Sequence, residues 1–360
     1  MNSWLVTGGA GFIGGNFVLR TLAQRDAEII NLDNLTYAGN LDTLEPVKDD
    51  PRHIFCHGDI CDTQLVSNLL AEHRPSAIIN FAAESHVDRS IDSPSRFIQT
   101  NVNGTLNLLE CALAYWQSLD GTGKEAFRFL QISTDEVFGS LGTDGAFDES
   151  TPYAPNSPYA ASKAAADHLV RAFNRTFGLP TLTTNCSNNY GPFQFPEKLI
   201  PLMILNGLGQ KPLPVYGDGL QVRDWLYVHD HCDAIQAVLQ AGIPGHVYAI
   251  GGNAERTNEE VIQSLCDLLD RKKPRQPGLC YADLISHVSD RPGHDRRYAI
   301  DFSKLSREIG WQPKVEFMAG LEKTIDWYLA NDDWTKRVLD GSYRGERLGL
   351  GNAPGSVTEQ

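Results

Sequence analysis

Apolar residues arrive along this chain in short runs that alternate with longer stretches of helical spacing. Trp4 to Thr7 is a brief apolar run, followed after a glycine-rich turn by Phe17, Val18 and Leu22 at helical intervals. The same order recurs. Glu28 to Leu32, 53–57 and 77–81 read as strands, with a helix over 62–72, a loop from Ala82 to Pro94, a long helix to about 117 and a buried strand from Phe127 to Ile132. Turn formers from Thr151 to Pro158 lead into a helix that opens at Tyr159 and runs to about 177. Repeated strand–helix units with short connections predict a parallel, right-handed, doubly wound α/β sheet. From about residue 190 the alternation loosens, and Pro192, Pro196, Pro201, Pro212 and Pro214 punctuate short elements. Residues 225–250 predict a return to the sheet, through a helix from Asp230 and a strand from His246 to Ile250. Over 317–331, Leu321, Ile325, Tyr328 and Leu329 share an apolar helix face that reads as core packing.

The first strand runs into Gly8-Gly9-Ala10-Gly11-Phe12-Ile13-Gly14. Gly8 permits the tight turn, Gly11 lets backbone approach a pyrophosphate, and Gly14 lets the helix pack against the strand with its N-terminus facing the anion. Asp33, ending the second strand, can accept from both ribose hydroxyls and repels a 2′-phosphate. With Asn34 rather than an arginine after it, NAD is predicted over NADP. Asp59-Ile60 and Phe81-Ala82-Ala83 fall at strand C-termini on the adenine and ribose side, although Ala82-Ala83 suit tight packing equally well. The expected architecture is a Rossmann-type NAD-binding domain over 1–190, with 225–250 returning to it. A smaller α/β substrate-binding domain follows over 191–345, and a poorly ordered tail over 346–360.

A chain of 360 residues is long enough for two domains, and its composition is that of ordinary globular proteins. The net charge of -14 argues against a general nucleic-acid or anionic-membrane surface, so a phosphorylated ligand has to be met by local cations and backbone N–H groups. Seven scattered cysteines without a C-x-x-C pair predict neither a disulfide framework nor a zinc site. No apolar run approaches membrane-spanning length and no leader pattern opens the chain, so the expectation is a soluble cytoplasmic enzyme.

Candidate chemistry concentrates at Ser133-Thr134-Asp135-Glu136, just past the strand ending at Ile132, on the side of an open sheet where ligands bind. Adjacent side chains point in different directions, so Asp135 and Glu136 would address different atoms of one substrate. A shared cleft can separate their pKa values into one acid and one base. Tyr159 and Lys163 share a helix face at i and i+4. As a base near neutrality Tyr159 needs a neighbouring cation, which Lys163 and a nicotinamide ring can supply. Alone, either pair is more often a solvated surface feature. After a dinucleotide loop, and in this order, they read as one site.

With Gly8-x-x-Gly11-x-x-Gly14, Asp33, Ser133-Thr134 and Tyr159-x-x-x-Lys163 in place, the chain resembles the extended short-chain dehydrogenase/reductase family. Asp33 to Asn40, Ala82 to Ser90, Ser133 to Val137, Asn188 to Leu199 and Asp290 to Asp295 carry that resemblance, over almost the whole length, to its sugar-nucleotide dehydratases of the dTDP branch. The family's sugar epimerases lack an acid–base pair at this strand end. The resemblance implies NAD held by Gly8, Gly11, Phe12, Ile13, Gly14, Asp33, Asn34, Thr36, Asp59, Ile60, Phe81, Ala82, Ala83, Ser85, Thr100, Ser133, Tyr159, Lys163 and Asn189. It implies catalysis by Thr134, Asp135, Glu136, Tyr159 and Lys163, without a metal. A dTDP-glucose substrate would be held by Ser85, Thr134, Asp135, Glu136, Asn188, Lys198, Leu199, Pro214, Tyr216, Arg223, Asn258, Arg291 and His294. Of these, Lys198, Arg223, Arg291 and His294 are the cations for a diphosphate, and Pro214-Val215-Tyr216 an apolar shelf for thymine. The implied reaction is oxidation at C4, loss of water across C5 and C6, and return of the hydride to C6, serving rhamnose or other deoxysugar synthesis. A homodimer is implied through helices 94–117 and 156–177, whose apolar faces include Leu106, Leu109, Leu113, Leu169, Val170 and Phe173. A dehydratase or 4-epimerase for UDP- or GDP-sugars, and a non-catalytic NAD-binding protein, are the alternatives. Nucleic acid and membrane are not expected partners, and Tyr343 near the C-terminus stays unassigned.

Overall fold

In a computed structural model, which describes residues 2–24, 27–290 and 293–341, the alternation appears as β1 (Asn2–Thr7), α1 (Phe12–Gln24), β2 (Ala27–Asp33), β3 (His53–His57), α2 (Thr63–His73) and β4 (Ala77–Asn80). It continues with α3 (Val87–Asp92), α4 (Pro94–Phe97), a π-helical stretch (Ile98–Gly104), α5 (Thr105–Ser118), α6 (Gly121–Ala126), β5 (Arg128–Thr134), α7 (Pro158–Phe177) and β6 (Thr181–Cys186). The remainder holds β7 (Asn188–Tyr190), α8 (Leu199–Leu208), β8 (Leu213–Tyr216), β9 (Val222–Tyr227), α9 (Val228–Ala241), β10 (Val247–Ile250), β11 (Glu255–Thr257), α10 (Asn258–Lys272) and β12 (Ile285–Val288). Helices α11 (Ser303–Ile309), α12 (Phe317–Ala330) and α13 (Asp332–Gly341) complete it. Arg291, Tyr343 and the expected tail at 346–360 lie outside the described residues.

Seven strands form one parallel sheet in the order β10-β6-β5-β4-β1-β2-β3, and the order turns back on itself between β1 and β4. Helices cover both faces, which is why the strands are near-continuous apolar runs rather than alternating ones. Neighbouring residues still part by face. Val6, Ile29, Ile79 and Leu130 join one core cluster, while Leu5, Ile30, Ile78 and Phe129 join another on the opposite side.

Beyond β6 the chain builds a smaller lobe from the sheet β11-β9-β7 and the pair β12-β8, around a core that includes Tyr190, Ile204, Trp225, Leu265 and Leu321. Between visits to this lobe, α9 packs on α1 through the first core cluster and β10 pairs with β6. Three local elements differ from expectation. The loop from Ala82 to Pro94 contains α3, β5 runs on through Thr134 instead of ending at Ile132, and the long helix beginning at Pro94 passes through a π-helical stretch. Among the described residues no helix is long and apolar enough to cross a membrane.

Candidate active site

A cleft opens at the C-terminal ends of the parallel strands, at the point between β1 and β4 where strand order reverses. Its floor is the β1–α1 turn. Gly8 has φ +70°, and a Cβ there would lie 2.6 Å from the Ala82 nitrogen. A Cβ on Gly14 would lie 2.2 Å from the Gly8 carbonyl oxygen, whereas Gly11 meets only that same oxygen at 3.3 Å. The loop is therefore locked on its inner side and open on its outer side, at the start of a helix with no acidic residue in its first turn.

Asp33 ends β2 with both oxygens oriented by backbone: Oδ2 accepts from the Ala10 N–H and Oδ1 from the Leu35 N–H, each at 2.8 Å. Burial pushes its pKa up and those two N–H groups oppose the shift. Each oxygen keeps a lone pair for a ribose hydroxyl. The Asn34 amide donates to Asp59 Oδ2 at 3.0 Å, joining the chain just past β2 to the chain just past β3. The glycine cradle, the acid-free helix N-terminus and the fixed carboxylate fit NAD. Every residue that the sequence resemblance implied for NAD lines this cleft.

The catalytic candidates stand in the same cleft. Thr134, the last residue of β5, caps a 3-10 turn over Asp135–Phe138: its Oγ1 accepts from the Glu136 N–H at 3.2 Å and donates to Asp135 Oδ1 at 3.3 Å. Asp135 is 2% exposed, and its Oδ2 has no hydrogen-bond partner among the described residues. Burial, followed by the charge of Glu136, holds its carboxyl well above the ordinary carboxylate range, with Arg223 opposing. Glu136 is half-buried. The two adjacent carboxyls thus occupy different environments.

Helix α7 begins where the Ser157 hydroxyl accepts from the Ala160 N–H and Pro158 fills the first turn. Tyr159 in that turn is buried. Burial and then Glu136 push its phenol pKa up, while a hydrogen bond with Thr134 draws it down. Its ionisation calls for positive charge beside it. One turn on, Lys163 is buried and donates from Nζ to the Ile132 carbonyl at 2.7 Å.

Ser85, Asn188 and Lys198 also line the cleft, with Lys198 Nζ donating to the Ser85 carbonyl at 3.0 Å. Asn189 lines it too, but its side chain is held by protein: Nδ2 donates to the Ser187 carbonyl at 2.9 Å, and Oδ1 lies 2.9 Å from Nδ1 of the buried His231. Leu199, Pro214, Tyr216, Arg223, Asn258 and His294 are not brought into this cleft. Leu199 opens α8 and Pro214 lies on β8. Tyr216, Asn258 and His294 gather in the smaller lobe. Tyr216 meets the His294 ring edge-on at 6.4 Å, His294 Nδ1 lies 2.7 Å from Asp290 Oδ1, and Gln221 links Asp290 to the Asn258 backbone. The Arg223 guanidinium donates to the Val222 and Asp295 carbonyls and lies 4.3 Å from the Tyr298 ring centre, yet its charge is felt by Asp135.

Sequence reasoning missed one set at the rim. Arg89 lies over the Tyr37 ring at 4.2 Å and donates to Glu197 Oε2 at 3.2 Å, and Tyr37 meets Phe195 edge-on at 5.7 Å. All four residues stand inside recognised segments, but no spacing signals that those segments meet.

A family model described as GDP-mannose 4,6 dehydratase matches residues 5–324. The dTDP-glucose 4,6-dehydratase of Xanthomonas campestris pv. campestris (strain B100) is 62% identical over 349 residues, covering 97% of this chain and 99% of its own. The Escherichia coli protein of the same name is 54% identical over 357 residues, covering 96% and 99%. Among solved structures, dTDP-glucose 4,6-dehydratase from Bacillus anthracis in complex with NAD superimposes with a TM-score of 0.83 at 47% identity, covering 94% of this chain and 100% of that chain. UDP-glucose 4-epimerase of Thermotoga maritima with UDP-glucose gives 0.80 at 26% identity, covering 91% and 99%.

Proposed function

The chain belongs to the dTDP-glucose 4,6-dehydratase family, and on that premise we propose that it is an NAD-dependent hydro-lyase converting dTDP-glucose to dTDP-4-keto-6-deoxyglucose and water. One observation carries the reading: a buried Asp135 and a half-buried Glu136 stand beside Thr134 and Tyr159 in the cleft that the glycine turn and Asp33 open. An epimerase, whose ketone only rotates, leaves that carboxyl pair without a task.

Bound NAD supplies the hydride acceptor at C4 and the donor at C6. Tyr159, sharing the oxygen with the Thr134 hydroxyl, takes the proton of the sugar 4-hydroxyl as C4 is oxidised. The 4-ketone acidifies the C5 hydrogen, and Glu136 removes it. Asp135, kept protonated by burial and by its neighbour's charge, delivers its proton to the departing C6 hydroxyl, so water is lost across C5 and C6. A proton then returns to C5 as C6 is reduced. Lys163 holds its positive charge beside Tyr159. The cluster of Tyr216, Asn258 and His294, with Arg223 and Arg291, takes the nucleotide end of the substrate.

The product serves rhamnose or other deoxysugar synthesis. The chain forms a homodimer through α5 and α7, a reading supported by Leu106, Leu113 and Leu169, which stay only partly buried in the single chain. Turnover of dTDP-glucose, UDP-glucose and GDP-mannose, compared by NMR of the products, tests the proposal. A 4-keto-6-deoxy product from dTDP-glucose is expected; dTDP-galactose, or turnover of the UDP or GDP sugar alone, overturns it.

A further inference from the structure

Asp167 is a buried charge that the mechanism above does not use. It is 4% exposed, one helical turn beyond Lys163 on α7. Its Oδ2 accepts from three separate segments: Ser133 Oγ of β5 at 2.6 Å, the Tyr153 hydroxyl ahead of α7 at 3.1 Å, and Asn185 Nδ2 of β6 at 3.3 Å. Its Oδ1 has no hydrogen-bond partner among the described residues. A carboxylate buried with one oxygen open is costly unless a counter-charge stands near it. Lys163 is such a charge, since i and i+4 share a helix face and, among the described residues, its Nζ donates to a neutral carbonyl, that of Ile132, and to no carboxylate.

The other titratable groups around this pair are Tyr153 ahead of α7, Tyr159 on α7 and Cys186 on β6, with Asp135 and Glu136 on the turn after β5 acting on Tyr159. Burial pushes the Lys163 ammonium down, and Asp167 is foremost among the groups holding it up, ahead of Cys186. Burial pushes the Asp167 carboxyl up, opposed first by Lys163 and then by the hydrogen bonds from Ser133, Tyr153 and Asn185. Each member of the pair therefore favours the charged form of the other.

Resting on the dehydratase reading, we propose that Asp167 is a positioning residue that keeps Lys163 protonated beside Tyr159, and so sets the pH range in which Tyr159 acts as a base. Asp167→Asn separates charge from shape. Its amide oxygen can accept the three bonds now made to Oδ2, and its NH2 falls where Oδ1 has no partner. The NAD-loaded protein is mixed with dTDP-glucose across a pH series and the first reduction of its nicotinamide is followed by absorbance. In parallel, the Tyr159 phenolate is titrated by ultraviolet difference against Tyr159→Phe.

The variant is expected to move both midpoints upward by about one unit, making C4 oxidation roughly tenfold slower below the midpoint and restoring it at higher pH. Asp167→Glu should bring the midpoints back toward those of the parent. Unchanged or lower midpoints overturn the proposal, because removing a negative charge near a phenol that keeps its lysine cation would lower them. If Asp167→Asn does not fold, Asp167→Ser removes the same charge with a smaller side chain and should shift both midpoints in the same direction; unchanged or lower midpoints overturn the proposal. A parent protein that never reduces its NAD with dTDP-glucose defeats the dehydratase reading instead, and the phenolate titration still decides the role of Asp167.

Discussion

Asp135 and Glu136 are chemically near-equal in the sequence, and the fold makes them unequal. Burial raises the folded-state pKa of Asp135 above its unfolded value, so at neutral pH ionising it in place costs stability. That deficit is absent below the unfolded carboxyl pKa of about 3.9, grows as pH rises toward the folded pKa, and is complete above it. Asp135→Asn should therefore melt at a higher temperature than the parent at alkaline pH, with the difference disappearing on acidification, as read by calorimetry. The same variant, and Glu136→Gln, should still reduce NAD on addition of dTDP-glucose but lose water about a hundredfold more slowly or worse, leaving the nicotinamide absorbance raised. Equally slow C4 oxidation in both variants would count against these roles. That the two carboxyls share one cleft was legible from their position after a strand. Which one is buried deeper was not, because that depends on the path of the turn after β5 and on Arg223, brought from β9.

At the level of elements, the β1–α1–β2 unit was legible because each step has a local cause: an apolar run, glycines at fixed spacing, a helical period and a closing acid. Gly14→Ala tests the unit. Its Cβ would lie 2.2 Å from the Gly8 carbonyl oxygen, which is backbone and cannot swing aside. NAD recovered from the purified variant should fall, with binding weakened about tenfold or more, as measured by chromatography of released nucleotide and by calorimetric titration. Full occupancy would mean that this loop does not cradle the cofactor. Helix α3 and the π-helical stretch were not legible. The first is too short to show a period, and the second has a tertiary purpose: Asn101 accepts from the Glu84 N–H at 2.8 Å and donates to the Glu84 carbonyl at 3.0 Å and to Ser162 Oγ at 2.8 Å. Those bonds tie the rim of the cleft to α7, and only the folded chain shows them.

Across the whole molecule, one side of the cleft is backed by contacts between segments far apart in sequence. Tyr37 follows β2, Arg89 lies in α3 after β4, and Glu197 stands where the chain enters the smaller lobe. A hydride that leaves and returns within one turnover requires a nucleotide that does not escape between the two steps. Tyr37→Ala should therefore speed loss of NAD on dilution by about tenfold, since it removes a half-buried ring and its cation–π contact, measured from the fluorescence of nicotinamide reduced in place. Retention as long as in the parent would show that this contact does not hold the cofactor. Periodicity could suggest two lobes but not this clasp, whose members carry no mutual spacing.

The central claim is intramolecular return of the hydride after loss of water. Its most direct test is to supply dTDP-glucose labelled at C4 to the purified protein in deuterated water, with no NAD added, and to read the product by NMR. The account predicts a 4-keto-6-deoxy sugar that carries the original C4 hydrogen at C6 and deuterium at C5. A product with C6 still hydroxylated, or with solvent deuterium at C6 in place of the C4 label, would contradict it.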